Sequence, residues 1–275
     1  MLKTRVITAI VLLAVLLPIL FLLPPVYIGA FFLLALLAAA WEWSRLLSPE
    51  ATRAAWLYAL FCLAIILFLL GMQNVAWQFA LLLMAVIFWF FLAPFILAKG
   101  MNISLQSLRP FYVVLGLILL PATWFALVFL RELGLVFLLS TMALVWVADI
   151  GAYFVGKAFG KRKLAVQISP GKSVEGAIGG LVLCYVYALL CVFFLPFEST
   201  LFGAWAIRFG WIPMFVMVTV LTAFSIFGDL FESQLKRLAG VKDSSGLLPG
   251  HGGVLDRVDA LIPTMPIAAL LAGLV

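Results

Sequence analysis

Apolar runs long enough to cross a bilayer follow one another so closely in this chain that little sequence is left for a soluble domain. They fall at about 6–24, 26–46, 54–71, 75–98, 111–130, 134–155, 174–197, 211–229 and 258–275. A hydrocarbon core of about 30 Å takes roughly 20 residues of helix, so each run predicts one spanning helix. The expected fold is all-α and polytopic, an integral membrane protein with about nine transmembrane helices. Composition agrees, since 10% of residues are charged where soluble domains carry about 25%. Lys3 and Arg5 before the first run mimic a signal peptide, but the run is too long and Pro24-Pro25-Val26-Tyr27 has no small-residue cleavage pattern. A retained anchor is expected. Cys62, Cys184 and Cys191 lie in apolar stretches and read as small hydrophobes.

With the N-terminus in the cytoplasm, all but two of the 17 basic residues fall on cytoplasmic segments, Arg131 and Arg208 being the exceptions. This lopsided split is the bias that orients membrane helices. The triplet Asn102-Ile103-Ser104 then lies inside and reads as accidental for glycosylation. The net charge of +6 needs no nucleic-acid partner, because anionic headgroups and orientation account for it. Residues 1–140 read as a transmembrane scaffold. Residues 141–275 read as a catalytic region with cytoplasmic loops 156–173 and 229–258, facing the cytoplasm from a membrane expected to be the bacterial inner one.

In the first half the acids Glu42, Glu50 and Glu132 each sit near a helix end beside an arginine, the pattern of a solvated terminus. Asp149 differs, because it lies inside the run Leu144-Val145-Trp146-Val147-Ala148, where a lone carboxylate costs roughly 2.5–3.5 kcal/mol. It is either a metal or substrate group or a helix-to-helix partner of Lys157 or Lys172. The next loop holds Lys157, Lys161, Arg162 and Lys163, then Ser169-Pro170-Gly171-Lys172-Ser173-Val174-Glu175-Gly176. Gly171-Lys172-Ser173 is not a P-loop, since Val166 stands where its first glycine is required and no strand is expected before it. Ser169 as N-cap and Pro170 at N1 instead predict a helix start whose free N–H groups, with Lys172, suit a phosphate. Gly176 and Gly180 suit close helix packing.

The segment from Gly228 to Asp259 carries most of the polar chemistry. As a continuing helix it sets Asp229, Ser233 and Lys236 on one face, and Asp256 and Asp259 share a face at the mouth of the last helix. Magnesium prefers one or two carboxylates plus phosphates and waters, and Asp229 and Asp256 can supply them. Gly250, Gly252 and Gly253 free the backbone to present N–H groups to a phosphate, while Lys236, Arg237, Lys242 and Arg257 neutralise charge. The alternative is a Gly-rich turn with snorkelling lysines.

The stretch Ser233-Gln234-Leu235-Lys236-Arg237, then Lys242-Asp243, then Leu248 to Asp259 closely resembles the signature of phosphatidate cytidylyltransferases. Asp149 through Glu175 is similar to that family's upstream loop, with Gly171 departing where many members have a second lysine. The resemblance implies condensation of CTP with phosphatidate to CDP-diacylglycerol and pyrophosphate, with a divalent metal matched to Asp229 and Asp256. It also implies a second cation, potassium, and a homodimer. Beside Asp229 and Asp256, Lys236, Lys242 and His251 are the catalytic candidates, His251 being either a phosphate donor or a packed loop residue. Lys157, Lys172, Ser173, Glu175, Ser233, Arg237, Gly252, Gly253 and Arg257 are the substrate-binding candidates, and Asp149 joins Asp229 and Asp256 as a third metal candidate. Two rivals stay open. A CTP-dependent polyprenol kinase would use the same residue types, and a transporter would use an intramembrane acid such as Asp149, although no paired interrupted helices are visible.

Overall fold

The computed structural model describes residue 14 and residues 18–275. Most of the first expected run, with Lys3 and Arg5, lies outside the described residues. Helices dominate: α1 (Pro25–Leu47), α2 (Thr52–Gly71), α3 (Val75–Ile87), a π-helical turn (Phe88–Leu92), α4 (Ala93–Ala98), α5 (Arg109–Leu133) and α6 (Leu135–Phe159). A two-stranded antiparallel hairpin follows, β1 (Lys163–Ala165) and β2 (Ser169–Ser173), then α7 (Val174–Phe194), α8 (Leu201–Phe209), α9 (Trp211–Leu238), α10 (Leu255–Val258) and α11 (Leu261–Ala272). Among the described residues seven helical segments are long and apolar enough to cross a membrane: α1, α2, α3 through α4, α5, α6, α7 and α9. Phe68, Phe91, Phe193 and Ile212 are among many large side chains left exposed on them. Such a surface requires lipid rather than water as its solvent.

Local chemistry explains the boundaries. Asn74 and Thr200 cap α3 and α8 by accepting from Ala76 and Gly203 N–H, and the π-turn precedes Pro94, which has no N–H to continue a regular ladder. Two expectations change. Ser169 and Pro170 belong to β2, and the helix starts at Val174 with Ser173 as its N-cap, accepting from Gly176 N–H at 3.2 Å. Strand pairing satisfies this backbone better than an early helix, so a strand does occur here, and the case against a P-loop rests on Val166 alone. The run expected at 258–275 yields only the 12 residues of α11, about 18 Å of helix, too short to span. It is buried instead, packed against α3, α5, α6 and α9.

Helices α6 and α7 form the most extensive pair, and small residues make it possible. A Cβ on Gly180 would lie 2.7 Å from the Ala148 carbonyl, and one on Gly151 3.0 Å from the Gly180 Cα, the close approach that glycines permit between membrane helices. The register of α9 is set by Phe231. Its ring lies 5.5 Å from both Phe88 and Trp89, 6.1 Å from Tyr112 and 6.3 Å from Trp43, each such pair contributing about 0.5–1.5 kcal/mol. With Phe231 held toward the scaffold, Asp229, Ser233 and Lys236 are left facing α7 and the C-terminal loop.

Candidate active site

The loops after α1, α4, α6 and α9 gather at one end of the bundle. Gln234 Nε2 donates to the Ile96 and Gly100 carbonyls at 3.1 and 2.5 Å, and Gln167 Oε1 accepts from Met101 N–H at 3.4 Å. Arg131 and Arg208, the two basic residues assigned to the other side, sit in the last turns of α5 and α8. Helix α9 has 28 residues, about 42 Å against a core of about 30 Å. Its final turns therefore reach the headgroup region, where charge is tolerated.

Two polar constellations occupy this end. In the first, Lys172 Nζ pairs with Asp229 Oδ2 at 2.6 Å, and Ser233 Oγ donates to Asp229 Oδ1 at 3.2 Å. This pair forms part of the wall of a cavity of about 430 Å³, which is also lined by Asp149, Tyr153 and Ser169 and, on its apolar side, by Leu164, Ala177 and Ile226. Asp149 is open to this cavity. Lys172 therefore pairs with Asp229 rather than with Asp149, while Lys157 lies over the Tyr153 ring at 6.0 Å.

In the second constellation Lys236 lies between two carboxylates. Its ammonium pairs with Glu232 one helical turn back and with Asp256 Oδ1 at 2.5 Å, all three side chains being nearly buried. Asp256 Oδ2 accepts from Ser244 N–H (2.9 Å), Ser244 Oγ (2.8 Å) and Gly253 N–H (2.7 Å). Burial pushes the Asp256 carboxyl up, but Lys236 and these amides outweigh it and hold the group down at about 2, so it is ionised at neutral pH. Asp259 stands between the constellations. Burial and the charge of Asp229 push its carboxyl up, and one oxygen accepts from Ala260 N–H at 2.7 Å.

The Gly-rich loop departs from expectation. The amide of Gly253 is not left free for a phosphate: it goes to Asp256, while Val254 N–H (3.0 Å) and Leu255 N–H (2.6 Å) go to Glu42. Gly252 has φ +79°, and a Cβ there would lie 2.7 Å from Asp256 Oδ2. At Gly253 a Cβ would collide with Ser244 Oγ and Glu42 Oε1. These glycines let the loop wrap two carboxylates. Glu42, read from sequence as a solvated helix end, is wholly buried and accepts four hydrogen bonds from this loop. The signal that misled was Arg45 one turn away, whose guanidinium lies over Trp41 instead.

Other candidates take plain positions. Ser173 caps α7, and Glu175 fastens the turn after α6 by accepting from Lys161 and Arg162 N–H and from Arg162 Nε. His251 accepts at its carbonyl from Arg257 Nη2 at 2.9 Å, and its buried ring Nδ1 has no hydrogen-bond partner among the described residues. Lys157, Arg237, Lys242 and Arg257 are exposed at the rim.

The donor chemistry suits a hard divalent cation. Asp149, Asp229 and Asp256 supply carboxylate oxygens beside Lys172 and Lys236, while burial favours the neutral form of Asp259. Among the described residues no three acidic, His or Cys side chains already form a cage. Asp229 and Asp149 face the cavity, whereas both oxygens of Asp256 are engaged by Lys236 and the loop.

The family model described as the cytidylyltransferase family matches residues 3–275. The phosphatidate cytidylyltransferase of Pseudomonas aeruginosa is 39% identical over 273 residues, covering 98% of this chain and 97% of that protein. That of Haemophilus influenzae is 39% identical, covering 97% and 96%, and that of Staphylococcus haemolyticus 33% identical, covering 98% of each.

Proposed function

Starting from the fact that this chain belongs to the cytidylyltransferase family and aligns with phosphatidate cytidylyltransferases along nearly its whole length, we propose how its polar end carries the chemistry. The reaction condenses CTP with phosphatidate to CDP-diacylglycerol and pyrophosphate, a step of phospholipid biosynthesis. One observation carries the assignment of the site: the Lys172 to Asp229 pair lies on the wall of a cavity that is also lined by the apolar side chains of Leu164, Ala177 and Ile226. That division fits a lipid phosphate, with the headgroup at Lys172 and the first acyl carbons along Leu164, Ala177 and Ile226.

A phosphate monoester has a second pKa near 6, so phosphatidate is largely a dianion at pH 7 and needs no strong general base. One of its oxygens attacks the α-phosphorus of CTP. A new phosphorus–oxygen bond forms as the bond from that phosphorus to the β-phosphate oxygen breaks, and the electron pair leaves on pyrophosphate. Lys172 orients the nucleophile, and Lys236, Lys242, Arg237 and Arg257 offset charge on the triphosphate. His251 serves as a phosphate donor. Magnesium, held by Asp229 with Asp149 at the cavity, would neutralise phosphate charge and polarise the reacting centre. Potassium as second cation, the homodimer, a cytoplasmic N-terminus and a cytoplasmic-facing site in the bacterial inner membrane complete the proposal. The basic loops collected at one end support the orientation.

The test is purified protein in vesicles with CTP, phosphatidate and magnesium. Pyrophosphate and CDP-diacylglycerol are expected in equal amounts. Release of CDP with a phosphorylated lipid, and no cytidine-bearing lipid, would replace this reading with a lipid kinase.

A further inference from the structure

We propose that Glu42, on α1, is a positioning residue for Asp256, setting the carboxylate through the loop that both of them grip. Glu42 Oε1 accepts from Ser245 Oγ at 2.5 Å and Val254 N–H at 3.0 Å, and Oε2 from Leu255 N–H at 2.6 Å and Ser244 Oγ at 3.2 Å. Asp256 accepts on the other side, from Ser244 N–H, Ser244 Oγ and Gly253 N–H. The three successive amides of Gly253, Val254 and Leu255 are thus divided between the two acids. The Ser244 hydroxyl lies within reach of both, yet carries a single proton to donate.

Three further facts make the arrangement a built one. Glu42 is fully buried and Ser244 nearly so, so removing an acceptor strands donors that water does not rescue. Gly253 leaves no room for a side chain between Ser244 and Glu42. Arg45, the nearest arginine in sequence, is turned toward Trp41 and leaves the Glu42 carboxylate to the loop. The carboxylate that faces Lys236 is thereby oriented by a helix remote from it in sequence. Groups that orient a functional carboxylate in this way contribute about 10–100-fold to activity when removed.

The inference rests on the reading of Asp256 and Lys236 as part of the nucleotidyl-transfer site. Its test is Glu42→Gln, which preserves volume and replaces one acceptor by a donor. In the purified protein kcat is expected to fall about tenfold, with KM for CTP and for phosphatidate unchanged within about twofold. Thermal unfolding and gel filtration, measured in parallel, give the folded fraction to which kcat is referred. Ser244→Ala removes the shared hydroxyl and is expected to lower kcat in the same way. In the double variant the losses are expected to be non-additive, because both act through one loop. Wild-type turnover per folded molecule in Glu42→Gln overturns the inference, as does additive loss in the double variant. Should Glu42→Gln fail to fold, Ser245→Ala, which removes a hydrogen bond to Glu42 and none to Asp256, decides, with undiminished kcat overturning it. A wild-type protein that makes no CDP-diacylglycerol overturns the reaction assignment instead.

Discussion

Glu42 and Leu255 are 213 positions apart in the chain, and the amide of Leu255 donates to Glu42 Oε2 over 2.6 Å. Through that contact a helix of the N-terminal half reaches into the loop that precedes Asp256, so the polar end of α9 and the scaffold form one piece. Gln234 repeats the connection from the other direction by donating to the carbonyls of Ile96 and Gly100.

Gly253 is the tightest point of that contact. Substituting Gly253→Ala forces a methyl group against Ser244 Oγ and Glu42 Oε1, and overpacking of this kind costs about 1–3 kcal/mol. A lowered unfolding temperature in detergent and a clear loss of CDP-diacylglycerol formation are expected. Gly246→Ala is the matched control, because nothing lies within 4 Å of a Cβ there. Equal behaviour of the two variants would mean that the loop does not need this contact.

The Lys172 to Asp229 pair has side chains 25% and 31% exposed, and ion pairs that reach solvent contribute about 0–1 kcal/mol to stability. Asp229→Asn should therefore leave thermal unfolding nearly unchanged while removing turnover. A stability loss with activity retained would reverse the assignment and make the pair structural.

Lys236 gives the opposite expectation. Its partners Glu232 and Asp256 are 3% and 5% exposed, and stripping a buried pair of one member costs about 3–5 kcal/mol. Lys236→Met is expected to destabilise strongly. Adding Glu232→Gln removes one stranded charge and should recover part of the stability without recovering activity. Chemical unfolding of the single and double variants in the same detergent measures both.

Chelation of divalent cations should stop product formation by purified protein in vesicles, and added magnesium should restore it. Asp256→Asn strips Lys236 of a nearly buried partner, so it is expected to lower stability as well as turnover, and its activity is referred to the folded fraction. Full activity in the presence of chelator would remove the magnesium assignment.

Spans, the segment from Gly228 to Asp259 and its resemblance to one enzyme family were legible in the sequence, because each is written within about 20–30 neighbouring residues. Hydropathy over one helix length decides whether a segment prefers lipid, and side chains spaced i, i+4 share a face whatever surrounds them. The face of α9 carrying Asp229, Ser233 and Lys236 was readable for that reason. Partners were not. A glutamate one turn from an arginine reads as a solvated terminus, yet Glu42 turns away from Arg45 to accept four hydrogen bonds from a distant loop. Gly253 reads as backbone freedom for a phosphate, yet its hydrogen is spent on Asp256. The hairpin from Lys163 to Ser173 and the shortness of α11 were likewise hidden. By itself, then, the sequence determined a multi-helix membrane enzyme with its chemistry at one end. Which carboxylate meets which lysine or amide was decided only by the tertiary structure, because a buried polar group must take its partners from whatever packing brings within reach.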